Sequence, residues 1–130
     1  MGFVLDFDAK NNILRVRVEG RATDATVSDV YVTVVGYTAS HPPCRAIVDV
    51  SGVTAFEVSS SAIRRLVEAA PAFPIESMRI YVAPQAHVFG MARMFQILGE
   101  NTRPNLHIVH TMDEAYRLLQ VESPEFDPIS

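Results

Sequence analysis

The fold is decided by the stretch Ala46-Ile47-Val48-Asp49-Val50, an apolar run that only Asp49 interrupts. A run of this kind suits a strand that is buried on both faces of a parallel sheet. Proline-containing connections flank it, at 42–43 and at Pro71, and prolines avoid the interior of helices and strands. The sequence therefore predicts a central parallel strand here.

Upstream of this strand, the sequence predicts a β-hairpin and a helix. Apolar and polar residues alternate over 3–7 and over 13–18, with a turn-forming segment between them, and Gly20 is expected to close the second strand. Valines and a tyrosine then recur at helical spacing within 24–38, and Thr23 or Asp24 is the expected N-cap.

Downstream of the central strand, helical and extended patterns alternate. The expected elements are a helix over 63–70, a strand over 78–82, a helix over 91–98, a strand over 106–109 and a helix over 111–119. The resulting order ββαβαβαβα predicts an α/β fold. We expect a single mixed, mainly parallel sheet of about five strands with helices packed on it.

The charge distribution divides the chain into a body and a tail. The 130 residues include 11 basic and 15 acidic side chains, for a net charge of −4. Glu122, Glu125 and Asp127 contribute to this excess. We expect one domain over 1–121 and an acidic, flexible C-terminal tail over 122–130. A nearly neutral body argues against a nucleic-acid partner, because phosphate binding needs many cations.

The sequence also indicates a cytoplasmic protein. No apolar run approaches the roughly 20 residues that span a bilayer. The N-terminus reaches Asp6 without a basic region, so we do not expect a signal peptide. The single cysteine, Cys44, cannot form an internal disulfide, which fits a reducing compartment and an inert thiol.

Polar residues gather where the parallel strands are expected to end. The segment 49–61 has the order strand, turn, acidic residue, serine cluster and helix. Free N–H groups at a helix start favour an anion, so Ser59 and Ser60 are candidate phosphoacceptors or anion-binding residues. Simple helix capping by these serines is the alternative. The candidate partner-binding surface consists of Asp49, Ser51, Glu57, Ser61, Arg64 and Arg65.

The expected third helix carries an apolar stripe. It consists of Phe89, Met91, Met94 and Phe95. Such stripes are most often core, but methionine-rich surfaces also adapt to apolar ligands or to a second copy of the chain in a homodimer. A ligand-binding role predicts an apolar pocket of roughly a few hundred Å³ beneath this helix.

Recognisable catalytic and metal-binding motifs are absent from the sequence. The four histidines have no metal-ligand spacing, and neither a phosphate-binding loop nor a G-x-S-x-G elbow is present. A hydrolase that uses Asp49 and Ser51 with His87 or His110 is the least favoured alternative. We therefore predict no catalytic residue, no metal and no cofactor.

Several segments resemble a known family. Residues 48–54, followed by an acid and serines that open a helix, resemble the STAS domain of anti-sigma-factor antagonists. The segments 79–84, 89–95 and 111–119 are similar to the small bacterial SpoIIAA-like, or STAS/SEC14-type, proteins. The resemblance covers about residues 3–120.

The resemblance implies a small regulatory module, not an enzyme, that docks on a kinase or an anti-sigma factor. Antagonists of this kind are switched by phosphorylation of a serine within Asp-Ser-Ser-Gly. Aligned without gaps, Glu57 matches the Asp and Val58 the phosphoacceptor, and a shift of one residue puts Ser59 at that position. The related lipid carriers imply an apolar ligand as the alternative.

Overall fold

The computed structural model describes residues 2–129, which form an α/β fold with a six-stranded mixed sheet and four helices. This confirms the predicted fold class at that level. The elements are β1 (Phe3–Asp8), β2 (Ile13–Thr23), α1 (Asp24–Ala39), β3 (Arg45–Glu57), α2 (Ser60–Glu68), β4 (Arg79–Val82), α3 (Ala86–Leu98), β5 (Leu106–Val109), α4 (Met112–Leu119) and β6 (Asp127–Pro128).

The strands lie in the order β5-β4-β3-β2-β1-β6. The pairs from β2 to β5 are parallel, whereas β1 is antiparallel to both β2 and β6. The prediction of about five strands missed β6. That strand is two residues long and carries no alternating pattern by which the sequence could indicate it.

The pairing of β2 with β3 extends further than we expected. We predicted that Gly20 closes β2 and that a turn follows Val50, but β2 continues to Thr23 and β3 to Glu57. The two extensions satisfy each other's backbone groups. Gly20 has a φ of 73° and lies at a register shift, so its conformational freedom permits a bulge within the strand.

The two faces of the sheet bury different cores. Successive residues of a strand point to opposite faces, so Leu14 and Val16 lie in one core and Ile13 in the other. Helices α1, α2 and α3 cover the first face, and α4 covers the second. The first face therefore supports three helices, and the candidate site lies among them.

Most helix ends lie at residues that the sequence indicates, but α3 begins at Ala86, five residues before the expected start at 91, and α2 ends at Glu68 rather than at 70. Thr23 caps α1, where its Oγ1 accepts the N–H of Thr26, and Thr111 caps α4. Gly99 ends α3. Within residues 2–129, no helix is both long enough and apolar enough to cross a membrane.

The C-terminal segment lies against β1 and the end of the hairpin. Asp127–Pro128 pair with β1 as β6. The N–H of Glu125 donates to Oδ2 of Asp8 at 3.1 Å, and the Arg15 guanidinium lies 4.0 Å from the centre of the Phe126 ring. The segment that we expected to be a flexible tail therefore makes backbone and side-chain contacts with the sheet.

Asp8 joins the hairpin turn to this C-terminal segment. Its fully buried carboxylate accepts the N–H and the side-chain amide of Asn11, at 3.0 and 2.7 Å, besides the N–H of Glu125. Burial alone would raise the pKa of Asp8, but these hydrogen bonds outweigh it and hold the pKa below its ordinary value. A pKa that is lower in the folded state contributes stability above the unfolded-state pKa, and this contribution is lost as the pH falls through the folded-state pKa.

We expect Asp8→Asn to lower the free energy of unfolding at pH 7 by about 1–3 kcal/mol, because a buried charged acceptor is lost. The deficit should shrink toward zero as the pH falls through the lowered pKa of Asp8 in the folded state, because wild-type Asp8 is itself protonated below it. Urea unfolding of both proteins at pH 7 and at low pH measures it. A deficit that is constant over this range would contradict the assigned role of the carboxylate.

Candidate functional site

An apolar cavity of about 160 Å³, partly open to solvent, lies between the sheet and helices α1, α2 and α3. All three helices and the sheet contribute to its wall. The lining includes Val16 and Val48 of the sheet, Val30 of α1, Ile63 of α2 and Met91 of α3. The cavity lies beneath the predicted third helix, as the ligand hypothesis requires, and is smaller than we expected.

The position of α1 leaves this space open. Of the apolar stripe that predicted the helix, only Val34 is fully buried, whereas Val27, Val30 and Tyr31 are half-buried and line the cavity. The Tyr31 hydroxyl donates to the Ala70 carbonyl at 2.5 Å and so ties α1 to the segment after α2. The many valines and threonines of α1 have low helix propensity, so α1 depends on these tertiary contacts.

Two buried arginines stand among the apolar residues of the wall. Arg79 is 4% exposed and Arg103 6% exposed, and among the described residues no acidic side chain lines the cavity. Arg103 is held by backbone carbonyls: its Nη1 donates to Val67 and its Nη2 to Leu66 and Ala69. Its Nη1 and Nη2 atoms therefore face the end of α2.

Arg79 differs from Arg103 in its hydrogen bonding. Its buried Nε and Nη2 atoms have no hydrogen-bond partner within residues 2–129. Burial lowers the pKa of Arg79, and the nearby positive charge of Arg103 lowers it further. A guanidinium stays protonated in proteins, so Arg79 is a buried cation without a counterion among the described residues.

Tyr81 is the next residue of β4 on the same face as Arg79. It lines the cavity, and its ring centre lies 5.8 Å from that of Phe95. Burial raises the pKa of the Tyr81 hydroxyl, although Arg103 and Arg79 oppose the shift. The polar end of the cavity thus combines two guanidinium groups with a neutral phenol.

The predicted apolar stripe of α3 divides between the cavity and other contacts. Met91 and the buried Phe95 lie on the cavity wall, and Met94 packs against the core beside them. Phe89 instead stacks on His110, with 4.2 Å between the ring centres. Met91 and Phe95 therefore fit the ligand interpretation. Because Phe95 is buried, little of its side chain is available for contact with a second copy of the chain.

Ser59 caps α2. Its Oγ accepts the N–H of Ala62 at 3.1 Å and donates to Oδ2 of Asp24 at 2.8 Å, while its own N–H donates to Oδ1 of Asp24 at 2.7 Å. These bonds from Ser59 lower the pKa of Asp24. The capping interpretation thus accounts for Ser59, and a phosphate on this residue would lie against the Asp24 carboxylate.

The other predicted surface residues at the start of α2 are accessible. Ser60, Ser61, Arg64 and Arg65 are all exposed. Glu57 is paired with Arg21 at 2.6 Å, and this pair lowers the pKa of Glu57. This end of the predicted partner surface is therefore formed by the first two turns of α2 and the end of β3.

Asp49 and Ser51 form a separate pair. The Ser51 hydroxyl donates to Oδ1 of Asp49 at 2.6 Å. Because β3 continues as a strand, the six residue steps from Ser51 to Glu57 span about 20 Å at ~3.3 Å per step. The predicted surface is thus extended along β3, and no hydrogen bond between described residues joins its two ends.

The histidines of the hydrolase alternative make other contacts. The His87 ring packs on Phe56, with 5.4 Å between ring centres, and the His110 ring packs on Phe89. Across residues 2–129, no hydrogen bond links either ring to Asp49 or Ser51, and no cluster of three or more potential metal ligands occurs.

The roles of Arg79, Arg103 and Tyr31 were not predicted from the sequence. Arginines are usually solvated, and the only available signal was the strand alternation that puts Arg79 on the same face as Tyr81.

No protein-family model matches this sequence, and no curated protein matches it with significance.

We expect Ser59→Ala to lower the free energy of unfolding by about 1 kcal/mol, because the N-cap bond and the hydroxyl bond to Asp24 are lost while the backbone N–H bond to Asp24 remains. The matched control is Ser60→Ala, one residue further on and exposed, which should change stability by no more than about 0.5 kcal/mol. Thermal or urea unfolding compares the two. Equal effects of the two substitutions would contradict the capping role.

Proposed function

We propose that this protein is a carrier or sensor of a small apolar ligand. The observation that carries the proposal is the apolar cavity beneath α1, α2 and α3, because native interiors are packed with few voids larger than a water molecule. An unfilled space of this size costs stability. A fold that retains such a space is typical of a protein with a ligand-binding site.

The size of the cavity limits the ligand. An engineered apolar cavity of about 150 Å³ takes up benzene or xenon. A cavity of about 160 Å³ therefore suits an apolar body of similar size, such as a benzene ring or a short alkyl chain. Since the cavity is partly open, a longer chain can extend beyond it.

Helix α2 offers a route from the cavity to the surface. Its inner face contributes Ile63 and Leu66 to the cavity wall, and its outer face exposes Arg64 and Arg65. A ligand that shifts α2 would thereby change the surface that a partner meets, so a carrier role and a regulatory role are compatible.

The second candidate is a non-enzymatic regulatory module that resembles the STAS domains of anti-sigma-factor antagonists and docks a partner such as a kinase. The exposed start of α2 supports it, with Ser60, Ser61, Arg64 and Arg65 accessible on two turns. This second candidate includes membership of the STAS family with its mainly parallel sheet. It also includes a bacterial origin and a location in the cytoplasm.

Val30→Phe tests the carrier proposal by filling the cavity from α1. We expect the affinity for benzyl alcohol, measured by NMR titration, to fall by about tenfold or more, because the new ring occupies the ligand space. The matched control is Val32→Phe on the same helix, since Val32 is 68% exposed and does not line the cavity. Unchanged binding in Val30→Phe, or equal loss in both variants, would contradict the assigned site.

Incubation with a serine kinase that phosphorylates STAS domains tests the second candidate. If the kinase phosphorylates the protein, we expect the phosphate on Ser60 or Ser61 and not on Ser59, because the Ser59 hydroxyl is hydrogen-bonded to Asp24. Phosphopeptide mapping of the wild type and of Ser60→Ala and Ser61→Ala identifies the acceptor. If no phosphate is incorporated, the second candidate function does not include a phosphorylation switch.

A further inference from the structure

The Nε and Nη2 atoms of Arg79 are hydrogen-bond donors that no other residue within 2–129 uses. Arg79 is the start of β4, 4% exposed, on the wall of the apolar cavity. A buried guanidinium without a partner is costly, and native proteins pair or hydrogen-bond nearly all such groups.

The unpartnered atoms of Arg79 are the same pair that holds carboxylates elsewhere in this chain. Arg15 binds Asp6 through Nε and Nη2, at 2.8 and 2.7 Å to the two carboxylate oxygens. Arg21 uses Nε and Nη2 toward Glu57 as well. In Arg79 it is Nε and Nη2 that lack an acceptor among the described residues, and both are enclosed by protein atoms, so a carboxylate would reach this edge of the guanidinium through a shift of the surrounding side chains.

The surroundings favour an anion further. The described lining contains Arg103 as a second cation and no acidic side chain. The Nη1 and Nη2 atoms of Arg103 already donate to the carbonyls of Val67, Leu66 and Ala69, so Arg103 chiefly contributes charge, whereas Nε and Nη2 of Arg79 have no acceptor among the described residues. The remaining lining is almost wholly apolar, which suits a ligand with a single charged group on an apolar body.

We infer that the cavity binds a small monocarboxylate, whose carboxylate is held by Nε and Nη2 of Arg79 and whose ring or short alkyl chain fills the apolar space. This inference rests on the proposed carrier function and specifies its ligand class. A monoanion matches the one free guanidinium edge, whereas a phosphate monoester brings more charge and more acceptors than that edge can satisfy.

The test compares ligands that share one apolar body. Benzoate, benzyl alcohol and phenyl phosphate are titrated into the wild type, Arg79→Met and Arg117→Met, with binding followed by NMR. We expect wild type to bind benzoate roughly tenfold to hundredfold more tightly than benzyl alcohol, with phenyl phosphate weaker than benzoate. In Arg79→Met the preference for benzoate should disappear while benzyl alcohol still binds. Arg117 is exposed on α4, across the sheet, so Arg117→Met should behave as wild type.

The stability of the ligand-free variants separates a binding role from a structural one. Removal of an unpaired buried charge should leave the Tm of Arg79→Met equal to or above that of wild type, whereas a purely structural arginine would give a fall. Arg79→Lys, which keeps the charge without the two-pronged edge, should retain part of the preference for benzoate.

The outcomes distinguish the carboxylate inference from the carrier function on which it rests. Equal binding of benzoate and benzyl alcohol by wild type would overturn the carboxylate inference and leave the carrier proposal standing. Tighter binding of phenyl phosphate than of benzoate would also overturn it. Failure of all the probes to bind would overturn the carrier proposal itself.

Discussion

The parallel pairing of β2 with β3 is the interaction on which the rest of the structure depends. It joins the antiparallel part of the sheet, formed by β1, β2 and β6, to the parallel strands β3, β4 and β5. Its extension to Thr23 and Glu57 also sets where α1 starts and where α2 follows. Because Val53 and Phe56 belong to this extension and line the cavity, the same ladder forms one wall of the candidate site.

The cavity follows from how this ladder carries its helices. Asp24, the first residue of α1, holds Ser59, the residue that caps α2, so the two helices are fixed to each other at one end. Tyr31 adds a second tie through the Ala70 carbonyl. Between these helices and the sheet, the apolar side chains surround the cavity. Arg79 of β4 and Arg103 of the loop after α3 add positive charge to its wall.

The sequence predicted the elements of this fold better than their ends. The apolar run 46–50 is a local pattern and correctly indicated β3, and Thr23 and Thr111 cap helices through local bonds. The continuation of β3 to Glu57 depends on a partner strand more than thirty residues away, and β6 depends on the free edge of β1. The burial of Arg79 could not be predicted from the sequence, because it depends on which residues pack over the start of β4.

The arrangement of β6 bears on the behaviour of the protein in solution. Exposed strand edges invite pairing with other chains, and short, charged or proline-containing edges suppress it. Here the free edge of β1 is covered by Asp127–Pro128 and by the N–H of Ile129, which donates to the Leu5 carbonyl at 3.2 Å. The outermost pair carries an aspartate and a proline, which is a poor template for a further strand. Residues 127–129 therefore shield this edge of β1 from pairing with another chain, and we expect their removal to promote aggregation while leaving the cavity unchanged.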